Sequence, residues 1–117
     1  MDSLFPLGKE AGFRLNRLLV PDGPLLHSHP YAWCTGWILS GGYTHEFFEL
    51  DDNGQPGPTR VETFRPGELN HMPAKVFHRV VAVEPGTWTA FRYGPPQGKR
   101  QYWVPGKGAV DWEKIDR

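Results

Sequence analysis

Short apolar stretches separated by turn residues run along the whole chain, and none is long enough to make a helix of ordinary length. "TWTAFRY" at 87–93 places aromatic or β-branched residues at alternate positions, and in "YTHEFFEL" at 43–50 Tyr43, His45 and Phe47 alternate, the period of a strand rather than a helix. "FRLNRLLV" runs into "PDGP", "LLHSH" into "PYAW", "CTGWILS" into Gly41-Gly42, and "RVETF" into "RPGE". "LNHM" stops at "PAK", while "FHRVVAVE" and "TWTAFRY" flank "PGT" as the arms of a hairpin do. The C-terminal pair "RQYWV" and "AVDWEKI" is separated by "PGKG". The pattern predicts an all-β chain of short strands, a β-sandwich or a small jelly-roll barrel.

Composition sharpens this picture. Fourteen glycines and twelve prolines break up any long helix but suit strands joined by turns. A length of 117 residues predicts one domain, 1–117, without a repeat or linker. Thirteen basic residues balance thirteen acidic ones, which argues against nucleic acid or an anionic membrane as partner. The start, "MDSLFPLGKEAGF", lacks the basic and apolar regions of a secretory signal, and a single cysteine makes no internal disulfide. The expected location is cytoplasmic.

Chemistry concentrates in "HSHPYAWC" at 27–34, which holds two of the five histidines and the only cysteine. On a strand, His27 and His29 project to the same face and form half of a metal site. A second stretch, "RPGELNHMPAKVFHRV", reads as a strand opened by Gly67 and closed by Pro73, then a corner and a new strand near His78. His45 shares a face with Tyr43 and Phe47 and reads as a hydrogen-bonded wall residue. Arg14 and Arg17 lie three apart, so only one of them can point inward.

These residues resemble the cupin superfamily. Its first motif matches His27, His29 and Gly41, with Cys34 at the usual glutamate. Its second matches Gly67, Pro73 and His78, with Lys75 at the usual glycine and Ala82 at the usual asparagine. The resemblance implies a cupin-type antiparallel β-barrel, the double-stranded β-helix or jelly roll. It also implies that His27, His29 and His78 converge on a divalent transition metal, with Fe(II) expected and Zn, Ni or Mn as alternatives. The spacing of His27, His29, Cys34 and Gly41 is similar to that of thiol-oxidising cupins such as cysteine dioxygenases. In those enzymes the cysteine can form a thioether with a tyrosine, and "FHRVVAVEPGTWTAFRYGPPQ" puts Tyr93 at that place. The resemblance therefore gives Cys34 and Tyr93 a part in catalysis, and implies a non-haem iron oxygenase acting on a small molecule. A metal-free ligand-binding or interaction module, and a zinc or nickel isomerase, are the other readings. A homodimer is expected, because open sheet edges invite pairing.

Overall fold

The computed structural model describes residues 2–3 and 12–114. The N-terminal stretch read above for a secretory signal falls largely outside the described residues, as does Ile115 at the end of "AVDWEKI". The described chain is antiparallel β-structure with a single 3-10 turn, Trp112–Lys114, and no α-helix.

One sheet has five strands: β1 (Asp2–Ser3), β2 (Gly12–Leu18), β3 (Trp33–Ser40), β6 (Leu69–Pro73) and β8 (Thr87–Tyr93). Their spatial order is β1-β2-β8-β3-β6. A second sheet, ordered β5-β4-β7, contains β4 (Tyr43–Glu49), β5 (Arg60–Phe64) and β7 (Val76–Val83). A hairpin of β9 (Gln101–Val104) and β10 (Gly108–Asp111) completes the set. This hairpin is joined to β7 through the residues around His27. His27 bridges to His78 on one side and to Tyr102 on the other. His27 is thus an isolated bridge residue wedged between β7 and β9, which is all that the predicted strand "LLHSH" becomes. Pro24 and Pro30 bracket it, and proline cannot donate to a ladder.

The two sheets pack face to face. Ile38, Tyr43, Phe64 and Val80, from β3, β4, β5 and β7, form one buried cluster, and Cys34, Met72 and Val76 form another. Alternation along β3 explains this: Cys34, Gly36 and Ile38 are buried, while Trp37 and Leu39 on the other face are exposed. Among the described residues the sheets do not close into a barrel, so of the expected cupin-type β-barrel the structure shows the all-β antiparallel sheets alone. β6 and β5 remain open edges. The chain passes between sheets at tight corners. At β3–β4, Gly41 has φ +72, and a Cβ there would lie 2.7 Å from the Thr87 Cα. Only glycine fits that approach.

Candidate metal centre

β7 builds the centre of the site. Val76, His78 and Val80 face the interior while Phe77 lies buried on the opposite face, as the two-residue period requires. His27 is held beside His78 through the backbone. The His27 N–H donates to the His78 carbonyl at 2.8 Å, and the His78 N–H returns the bond at 2.9 Å. This is a hydrogen-bonded antiparallel pair, so the two side chains emerge side by side. Trp103 N–H to the Leu26 carbonyl (2.8 Å) and Ser28 N–H to the Gln101 carbonyl (2.9 Å) fix the other edge of the segment. Ser28 points away, its hydroxyl accepting from the Gln101 N–H, and His29 returns to the face of His27.

The three predicted histidines do come together. His27, His29 and His78 each offer one ring nitrogen, and those nitrogens all lie within 4.8 Å of one another. The Nε2 atoms of His29 and His78 are 2.9 Å apart. The His78 Nδ1 lies 3.2 Å from the Nδ1 of His45, so both of its nitrogens are engaged. His45 is 2% exposed, stacked on Phe47 and edge-on to Phe64. Sequence reasoning placed it as a hydrogen-bonded wall residue and missed that its partner is His78.

Burial keeps the cluster uncharged. It pushes His27 down to about 4, with the Arg100 charge acting the same way and Asp22 partly opposing it. His29 falls to about 3, through burial first and then the neighbouring His27 and Arg100. His78 is held well below its ordinary value by burial and by the three histidines and Arg100 around it. Burial also lowers His45 to about 4. At neutral pH these imidazoles are neutral and their lone pairs are available, as a metal requires of histidine. The donor set therefore fits a divalent transition metal. It also suits a closed hydrogen-bond network, since 2.9 Å is an ordinary length for an N–H donating to a ring nitrogen.

A cavity of about 640 Å³ opens beside the three histidines and is lined from both sheets. Arg14, Asn16 and Leu18 contribute from β2, Thr89 and Phe91 from β8, and Met72 and Tyr43 from β6 and β4. Of the two arginines on β2, Arg14 is the inward one, while Arg17 is exposed.

Cys34 and Tyr93 are not among the residues lining this cavity. They do face each other across β3 and β8 as register partners. Gly94 N–H donates to the Trp33 carbonyl, which makes Cys34–Tyr93 a non-hydrogen-bonded pair, the kind with the closer side chains. Cys34 is 1% exposed, and burial pushes its thiol up to about 12. Tyr93 stacks on Tyr31 with ring centroids 4.4 Å apart, takes the Arg14 guanidinium over its face at 4.7 Å, and extends its hydroxyl end over Gly12. His71 sits exposed on the outer face, bonded to Thr35 at 2.6 Å.

No family model matches this sequence, and no curated protein matches it. Among solved structures the chain is similar to peruvianin-I, a cysteine peptidase from Thevetia peruviana latex. The TM-score is 0.57 at 20% identity, covering 86% of this chain and 58% of that one. The likeness is one of fold, and this chain spans just under three-fifths of that structure's length.

Proposed function

We propose that the chain is a small cupin-type jelly roll whose His27, His29 and His78 hold a divalent transition metal. The further reading, drawn from the Cys34–Tyr93 pair, is a non-haem iron oxygenase acting on a small molecule, similar to the thiol-oxidising cupins. The observation that carries the metal reading is the convergence of three neutral imidazole nitrogens within 4.8 Å at the wall of a cavity. His45 fixes the ring of His78 through its other nitrogen, the support that metal-binding histidines ordinarily have. Phe91, Met72 and Tyr43 supply the less polar wall that holds a small molecule against the histidines. Iron(II) bound by the three imidazoles would supply the redox and dioxygen chemistry, while the chain supplies orientation and shape.

The peptidase activity named for the fold relative does not suit this chain. A cysteine nucleophile needs an accessible thiolate, and the single thiol here is 1% exposed and raised to about 12.

The test is elemental. Protein purified without chelator is expected to carry close to one divalent transition metal per chain, and His78→Ala to lose most of it. A wild type that stays empty after exposure to Fe, Zn, Ni and Mn would favour the second reading, a metal-free ligand-binding module. The His29–His78 contact, already a complete hydrogen bond, supports that alternative. Oxygen uptake dependent on a thiol, tested on iron-loaded protein, checks the oxygenase reading separately. The homodimer belongs to the same proposal, supported by the open edges β5 and β6 and by exposed Trp37, Leu69 and Trp88. A single monomeric species in sedimentation at high concentration would remove it.

A further inference from the structure

Two buried polar atoms lack a hydrogen-bond partner among the described residues: Asn16 Oδ1 and Arg100 Nε. Both side chains line the cavity that holds the histidines. Buried polar groups are nearly always paired, so two orphaned atoms on side chains that line one cavity point to a ligand that pairs them. One orphan is an acceptor and the other a charged donor, and that combination narrows the ligand.

Neither side chain is adrift. Asn16 sits inside β2, opposite Thr89, with its face shared by Arg14 and Leu18. Arg100 directly precedes β9, and its carbonyl takes the Trp112 N–H at 3.0 Å. The charged groups facing the cavity are Arg14, Arg100 and Asp22. One Asp22 carboxylate oxygen is already committed to the Val80 N–H at 2.7 Å. Two arginines stand against one carboxylate, so the cavity favours an anion and disfavours an ammonium group.

We propose that this cavity recognises a small hydroxycarboxylate, with Arg100 donating to the carboxylate and Asn16 Oδ1 accepting from the hydroxyl. The carboxylate answers a guanidinium Nε–H that no protein group satisfies. The hydroxyl answers an amide oxygen that needs a donor, and it carries no positive charge to be repelled by Arg14 and Arg100. The inference rests on the metal-centre reading only in placing the ligand beside the histidines.

Lactate, propionate and propane-1,2-diol separate the two contacts, because the second lacks the hydroxyl and the third lacks the carboxylate. Each is titrated by NMR into chelator-treated and zinc-exposed protein, with inorganic phosphate as a further anion. Lactate is expected to bind about tenfold or more tightly than either analogue. Arg100→Gln should abolish its advantage over the diol, and Asn16→Leu its advantage over propionate. Arg100→Lys, which keeps the charge but loses the Nε–H, provides the same reading if the glutamine variant does not fold. Equal affinity for all three small molecules, tighter binding of phosphate, or a lactate preference that survives Arg100→Gln would overturn the proposal. A lactate preference in protein that takes up no metal would leave this inference standing and remove the metal centre. Metal uptake with no lactate preference would do the reverse.

Discussion

Replacing His45 with phenylalanine tests whether the candidate centre depends on more than its three converging histidines. The substitution keeps an aromatic ring in a site that is 2% exposed, with Phe47 stacked at 4.8 Å and Phe64 edge-on at 5.2 Å. It removes the nitrogen that meets the His78 Nδ1 at 3.2 Å. The shape is nearly conserved, so the loss falls on orientation of the His78 ring. Loss of such a supporting contact weakens metal binding about 10–100-fold, equivalent to about 1.4–2.8 kcal/mol. Leaving the His78 nitrogen buried without a partner also costs about 1–3 kcal/mol of stability. Zinc affinity is measured by competition with a chromophoric chelator, with near-UV circular dichroism confirming the fold. His78→Ala should lose more affinity than His45→Phe, because it removes a ligand outright. His71→Ala is the control, since His71 lies exposed on the outer face of the five-stranded sheet and should leave zinc binding unchanged. Wild-type affinity in His45→Phe would refute the orienting role. Wild-type affinity in His78→Ala would refute the site itself.

Metal-free protein should lose stability as pH falls below neutral. The unfolded chain protonates its histidines near 6.5, whereas His27 and His45 in the fold resist protonation down to about 4 and His29 down to about 3. Stability is therefore complete above 6.5 and declines as the pH drops toward those values; His45 alone accounts for about 3 kcal/mol. Urea melts from pH 8 to pH 4 measure the loss, and a slope unchanged in His45→Phe would contradict the assignment. Gly41→Ala should destabilise by roughly 2 kcal/mol or more, because φ is +72 and the added methyl meets the Thr87 backbone; a melt like the wild type would refute that corner. Cys34 in the folded protein should resist iodoacetamide at pH 8 and react fully after unfolding, given its 1% exposure and a thiol raised to about 12. Rapid labelling of the native state would show that the thiol is accessible after all.

The strands were legible because their alternation is strong and their turns are marked. Thr87–Tyr93 and Arg60–Phe64 occupy the spans read from "TWTAFRY" and "RVETF". The C-terminal strand is shorter than "AVDWEKI" suggests, giving way after Asp111 to a 3-10 turn. Whether the sheets would close into a barrel was not legible, because alternation tells which face of a strand is buried but not whether distant sheet edges meet. The candidate site divides in the same way. His27 and His29 could be paired from spacing, since i and i+2 share a strand face, whereas His78 was joined to them through the cupin resemblance. Arg100 could not be found. It sits beside Lys99 and Gly98 in a turn-like run that reads as a solvated loop, and only the folded chain turns it toward the histidines. Asn16 lay between these cases: the shared face of Arg14, Asn16 and Leu18 follows from period two, but parity alone does not say which face is inward.

The placement of the histidines follows from which backbones flank β7. On one edge β7 is bridged by His27, which sets that residue directly opposite His78. On the other it pairs with β4, where Phe47 is opposite His78 and His45 opposite Val80, so His45 reaches His78 on the diagonal. The central ring is thus positioned from both sides by ladder hydrogen bonds rather than by a loop. His29 is the exception, one residue beyond the last ladder bond, at Ser28, and immediately before Pro30. A cluster held in this way needs no metal to assemble it, which distinguishes it from small domains that fold only around their ion. Chelator treatment should therefore leave the fold and the His27–His78 pairing in place, and any rearrangement on metal loading should centre on His29. Histidine ring signals followed by NMR through a zinc titration would report this, and global refolding on adding zinc would contradict it.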